Sequence, residues 1–167
     1  MTRYWLFKTE PGSYSIDDLQ RDRRTHWDSI RNYQARNFLR DEISTGDGVL
    51  FYHSQTDPPG VVGTAQVVRS GYPDPSARHP ESNYFDPKAS EEDPRWFMVD
   101  VEFRERLPRT VALAELKQTP GLESMVVGER EISGQVRRAY NDAQQHDHIS
   151  PLLDRLFQSA LRTSRVV

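Results

Sequence analysis

Apolar and polar positions alternate along the chain in short blocks divided by proline and glycine, the pattern of a domain that mixes strands with brief helices. Tyr4-Trp5-Leu6-Phe7 is apolar at every position, which predicts a central strand covered on both faces; Lys8-Thr9-Glu10 places polar groups at its end and Pro11-Gly12 stops it. Ser15 ahead of Asp17, Asp18 and Leu19 reads as a capped short helix with acids in its first turn. From Gln34 to Ile43 the apolar residues Ala35, Phe38, Leu39 and Ile43 share one helical face. Gly46-Asp47-Gly48 ends that helix and leads into Val49–Tyr52, a second strand buried on both faces, with His53-Ser54 at its end. Pro58-Pro59-Gly60 turns the chain into Val61–Val68, where Gly63 and Ala65 leave one face nearly bare and call for a bulky neighbour.

Residues 71–94 read as one long ordered loop, broken by six prolines and glycines, acidic, and with Tyr72, Tyr84 and Phe85 as aromatic anchors. Loops longer than about 12–15 residues in compact domains are often functional. Phe97, Val99, Val101 and Phe103 then alternate with Met98, Asp100 and Glu102, a strand with one buried and one wetter face; Trp96 has the parity of the wetter face. Val111–Lys117 and Leu122–Val127 are helical candidates, Ile132–Val136 a last strand, and Arg137–His146 a further helix. Ser150-Pro151 caps an amphipathic helix bearing Leu152, Leu153, Leu156, Phe157 and Leu161.

The chain of 167 residues suits one domain with a short appendage, residues 1–145 and 146–167, and its aromatic share of 10% argues for a folded core. Zero cysteines exclude disulfide scaffolds, thiolate metal sites and cysteine nucleophiles. No basic leader with an apolar segment of secretory length and no run of 18 apolar residues occurs, so the expectation is a cytoplasmic protein with no membrane partner. A net charge of -3 disfavours coating of nucleic acid through bulk electrostatics. Charge is nonetheless polarised: between Gln20 and Arg40 six Arg face two Asp.

Standard catalytic signatures are absent, and no cofactor or metal is expected; His146 and His148 around Asp147 read as solvated loop. The informative stretch is Trp27-Asp28-Ser29-Ile30-Arg31-Asn32-Tyr33-Gln34-Ala35-Arg36-Asn37. An amide such as Asn32 donates and accepts at once and can read a base edge, tryptophan offers a face for stacking, and arginine holds phosphate bidentately. The plainer readings are a core Trp27, an Asn32 that caps the helix, and arginines paired with nearby acids. Glu10 and Asp28 form a candidate carboxylate pair, which keeps open an enzyme acting on a nucleotide or modified base with either residue as general base.

Tyr4-Trp5-Leu6-Phe7-Lys8-Thr9-Glu10-Pro11, Trp27 to Phe38, Gly46-Asp47, Phe51-Tyr52-His53-Ser54, Pro59 to Gly63, Tyr72-Pro73-Asp74-Pro75 and Pro94-Arg95-Trp96 together resemble the EVE domain family. The resemblance implies an α+β fold, a PUA-like bent β-barrel with surrounding helices, related to the YTH domains that read methylated adenine. It also implies a non-catalytic reader of a modified nucleobase in DNA or RNA, with 5-methylcytosine among the marks. Carried over, the ligand-binding residues are Trp27, Ser29 and Asn32, Lys8, Thr9 and Glu10, and Tyr52, His53 and Ser54. Trp96 is the expected second wall of an aromatic cage, and Arg31 and Arg36 are the expected phosphate contacts. Where the family commonly has Gly-Val, this chain has Ser29-Ile30, and Ile132 to Arg137 lacks the proline common in the last strand. The terminal helix is a candidate surface for a protein partner or a homodimer.

Overall fold

The computed structural model describes residues 3–118. The elements expected over 122–127, 132–136 and 137–146, the helix after Ser150 and the boundary at 145/146 lie outside the described residues. In chain order come β1 (Tyr4–Thr9), α1 (Ile16–Asp22), β2 (Arg24–Trp27) and α2 (Tyr33–Asn37), which runs into a π-helical turn at Phe38–Glu42. There follow β3 (Gly48–His53), β4 (Gly60–Pro73), a 3-10 turn (Pro75–Arg78), β5 (Phe97–Ala112) and α3 (Leu113–Gln118). No helix among the described residues is long and apolar enough to cross a membrane.

The strands form one sheet in the order β1-β3-β4-β5-β2, with β1 parallel to β3 and every other pair antiparallel. β1 therefore sits at one end of the described sheet, where its apolar run had predicted a centre, although Tyr4, Trp5 and Phe7 are all buried. Register shifts between Phe51 and Tyr52, and at four places along the β4–β5 ladder, insert unpaired residues that bend and twist the strands. The sheet rolls far enough for its two outer strands to meet through side chains: Trp27 of β2 lies 4.9 Å from Phe7 of β1, ring centre to ring centre. No backbone pairing joins those strands among the described residues. The result is the expected α+β bent barrel, left open at one seam.

The hollow of the roll holds the core, built from Trp5, Phe7, Val49, Phe51, Ala65, Val67, Val99, Val101 and Phe103 on the strands and from Ile16, Leu19, Leu39 and Ile43 on the helices. Ser15 caps α1 as its sequence predicts: its hydroxyl accepts from the Asp18 amide at 3.1 Å, and the Asp18 carboxylate accepts from the Ser15 amide at 2.8 Å. Ile16 is the bulky neighbour called for by Gly63, since a Cβ there would stand 2.6 Å from Ile16 Cδ1. Gly71 does the same for the π-helical turn, where a Cβ would come within 2.1 Å of the Leu39 carbonyl oxygen.

Two strands, β2 and β5, differ from the sequence reading. β2, whose four residues are polar except for Trp27, exists because it pairs with β5 from Arg24↔Glu102 to Trp27↔Val99. β5 continues through Val111, expected to be helical, because Gly60 and Val61 pair with Ala112 and Val111; the helix starts only at Leu113. Met98 and Asp100, assigned to a wetter face, are buried; Asp100 accepts hydrogen bonds from the Tyr72 hydroxyl and from Arg24.

Candidate nucleic-acid interface

Trp27 ends β2 at the open seam. One side of its indole packs on Phe7 and, edge to face at 5.7 Å, on Phe51; the residue is half-buried and its indole N–H finds no partner among the described residues. A buried indole usually satisfies that donor, so Trp27 has the character of an amphipathic surface facing outward from a fixed base.

Beyond Trp27 the chain turns sharply through Ser29, whose φ of +61° lies in the left-handed region that favours glycine. That is where the family resemblance expects glycine, and the turn survives here because it is bonded on both sides. The Ser29 amide donates to Asp74 Oδ2 at 3.1 Å, and its hydroxyl donates to Asp28 Oδ1 at 3.3 Å. Asp74, fully buried, also accepts from Arg31 at 2.9 Å and from the Ser76 amide at 2.8 Å. Burial pushes its carboxyl up, but the bonds from Ser76, Arg31 and Ser29 outweigh it and hold the carboxyl below the usual range. This aspartate ties the Trp27–Asn37 segment to the start of the long loop; the Tyr72–Pro75 motif contained it, but with partners more than 40 positions away its role had no local signal.

Asn32 takes the plainer of its two roles first: its Oδ1 caps α2, accepting from Gln34 N at 2.9 Å and Ala35 N at 3.0 Å. The carboxamide NH₂ remains on the exposed side. Arg31 is not available as a phosphate contact. Its guanidinium donates to the carbonyls of Tyr84 and Ile30, to Asp74 and to the Ser76 hydroxyl, which uses four of five N–H groups. Arg36 differs, since its bonds go only to the neutral oxygens of Asn37 and the Arg95 carbonyl.

Trp96 does not stand as an open wall. It is 5% exposed, its indole N–H donates to Asp86 Oδ2 at 2.7 Å, Tyr33 stacks on it at 4.9 Å, and the Arg31 guanidinium lies 5.3 Å from its ring. The bond from Trp96, with help from the Lys88 amide, holds the Asp86 carboxyl below its ordinary range. The long loop is thus fixed by Asp86, Asp74 and the Tyr84 carbonyl, while the expected aromatic anchors Tyr84 and Phe85 are 45% and 40% exposed.

The two strand-end motifs divide between faces. Because side chains alternate, Thr9 and His53 share the core side with Phe7 and Phe51, while Lys8 and its register partner Tyr52 point to the opposite side. Tyr52 is buried, which pushes its phenol up. His53 is buried too, and its Nε2 accepts from the Ile16 amide at 3.1 Å, so it secures the start of α1; burial lowers its pKa. Ser54 is half-buried, with its amide and hydroxyl directed to the Thr9 carbonyl, and Glu10 is exposed. The arginine-rich stretch is largely neutralised: Arg21, Arg24, Arg31 and Arg40 each contact a carboxylate, which leaves Arg23 and Arg36 as the two of the six without one among the described residues. These features define a rolled α+β domain of the PUA-like class, with one half-exposed indole at its seam.

The chain belongs to the EVE domain family, whose sequence profile matches residues 3–146. It is 41% identical over 128 residues to thymocyte nuclear protein 1 of Homo sapiens, a match that takes in 70% of this chain and 56% of that protein. The chain thus spans little more than half the length of that relative. Among solved structures, a hypothetical protein from Leishmania major is 41% identical with a TM-score of 0.74, covering 89% of this chain and 98% of that one. The human THYN1 protein, solved in complex with 5-methylcytosine-containing DNA, is 31% identical with a TM-score of 0.73 and covers 90% of this chain and 100% of that one.

Proposed function

We propose that this chain is a non-catalytic module that binds nucleic acid carrying a modified base, with 5-methylcytosine in DNA as the first candidate mark. The observation that carries the reading is the complex of the human THYN1 protein with 5-methylcytosine-containing DNA, a relative aligned over its whole chain. The local geometry supports the same reading in a revised form. A single platform, Trp27, takes the place of a two-tryptophan cage, since its inner side is braced by Phe7 and Phe51 and the rest is half-exposed.

Around that platform the polar groups divide by chemistry. Asn32 spends its carbonyl on the helix, so what it offers a base is a donor, suited to a ring nitrogen or carbonyl. Asp28 accepts one long bond from Ser29 and has lone pairs left for an exocyclic amino group, the donor that distinguishes cytosine from thymine. Thr9, Glu10 and Ser54 follow from the family resemblance as further contacts, and Arg36, which makes no salt bridge among the described residues, is the candidate for a neighbouring phosphate. Stacking on one aromatic is worth roughly 1–3 kcal/mol, while a buried methyl adds about 0.8 kcal/mol. Modified and unmodified strands should therefore differ by roughly fourfold in affinity unless the mark also makes a polar contact.

Fluorescence anisotropy with matched oligonucleotides, with and without one 5-methylcytosine, tests this. The native protein prefers the modified strand, and Trp27→Ala loses both the preference and most of the affinity. Equal retention of both strands by the native protein sinks the assignment of the mark, and conversion of the modified base, abolished in Asp28→Asn, sinks the non-catalytic reading.

A further inference from the structure

The large apolar side chains exposed among the described residues are Tyr33, Tyr84 and Phe85, at 54%, 45% and 40%. They come from segments far apart in sequence, α2 and the long loop, and one continuous stack links Tyr33 to Tyr84, with Phe85 next to it in the chain. Tyr33 lies 4.9 Å from Trp96, the Arg31 guanidinium is 5.3 Å from Trp96, and the same guanidinium is 5.5 Å from Tyr84. The backbone that carries the loop rings is held: Arg31 donates to the Tyr84 carbonyl at 2.9 Å, and the Tyr84 amide donates to the Ser82 hydroxyl at 3.1 Å. Clustered exposed aromatics on a soluble domain mark an interaction surface. Beside them the Arg36 guanidinium rests 4.8 Å from the Tyr33 ring and makes no salt bridge among the described residues.

Exposed aromatic faces next to a guanidinium that makes no salt bridge among the described residues are what a single strand of nucleic acid requires: rings for bases, a cation for the backbone. We propose that the nucleotides flanking the base at Trp27 run across Tyr33 and the Tyr84-Phe85 pair, stacking on these rings while Arg36 meets a phosphate. The surface rests on the nucleic-acid reading above and extends it from one base to a strand. Because so few cations in this region are free, stacking carries the binding, and affinity falls only gently with added salt.

The test compares two probes, 5-methyl-2′-deoxycytidine as the free nucleoside and a single-stranded 9-mer with 5-methylcytosine at its centre. In Tyr33→Ala/Tyr84→Ala, 9-mer affinity falls by at least roughly tenfold, while nucleoside affinity and the modified-to-unmodified ratio hold at native values; the corresponding Phe variants retain native 9-mer affinity. Tyr33 braces Trp96, so Tyr84→Ser/Phe85→Ser, which changes only exposed rings, repeats the test without touching that contact and is expected to cost at least about fivefold. Native 9-mer affinity in Tyr84→Ser/Phe85→Ser overturns the proposal, as does a parallel fall in nucleoside affinity. If the native protein binds modified and unmodified 9-mers equally but the ring variants still weaken both, this surface stands and the modified-base reading fails. A native protein that retains no 9-mer overturns both.

Discussion

Trp27 and Trp96 are similar in sequence, each beside polar residues and near the end of an element, yet they occupy opposite kinds of environment. Trp27 sits on a strand end, braced on one side by Phe7 and Phe51, with its N–H unclaimed among the described residues. Trp96 is enclosed, with Tyr33 and Arg31 against its ring and its N–H given to Asp86. What separates the proposed platform from a structural bolt is therefore whether the protein has already satisfied the indole. Trp96 instead holds up Tyr33 and Arg31.

Substitutions can break or sharpen that contrast. Trp96→Ala leaves a large cavity and is expected to cost about 3–5 kcal/mol of stability in a denaturant titration; a loss within experimental error of zero erases the distinction. Asp74→Asn removes the charge that compensates a mostly buried Arg31 and is expected to cost about 3 kcal/mol, reducing binding as the Ser29 turn loosens. Its pH dependence has a definite sign. A carboxyl held below its ordinary 3.8 stabilises the fold above that value, and the contribution disappears as pH falls through the lower folded value, so an acid melt should show the native advantage over the variant fading there. Trp27→Ala lowers stability by less than Trp96→Ala and affinity for a modified strand by at least about tenfold, the reverse ranking of effects.

Smaller effects follow for the supports. His53 is held below its ordinary 6.5 by burial, so its contribution is complete above that pH and is lost as pH falls through the lower folded value. Native melting temperatures should drop on acidification from neutral pH toward pH 5, with a shallower drop in His53→Gln. Ser29→Gly relieves the left-handed backbone and should raise stability by up to about 1 kcal/mol, with a test for whether the Ser29 hydroxyl also affects mark preference.

What was legible in the chain was what is decided locally. Ser15 announced α1 because its partner Asp18 is three positions on, the plainer reading of Asn32 as a cap rests on amides two and three positions on, and the bare face at Gly63 implied a bulky neighbour without naming Ile16. Distant partners had no such signal. Trp96 takes its orientation from Asp86 in a preceding loop, where strand parity has no force, and Asp74 unites residues from both halves of the described chain. The cluster read into Lys8 to Glu10 and Tyr52 to Ser54 overlooked the twofold period of a strand, which sends Lys8 and Tyr52 away from Trp27. The arginine-rich stretch looked basic because its carboxylates Asp74 and Asp100 lie far along the chain.

Where Trp27 crosses from β2 to touch Phe7 on β1, aromatic contact rather than a ladder of amides joins the two strands among the described residues. A seam of that kind can breathe without severing a single interstrand hydrogen bond, and a guest resting on the indole would act as a clasp across it. Amide exchange at both borders would then slow in step as the guest is added, so that occupancy could be read from the domain's rim without any label on the ligand.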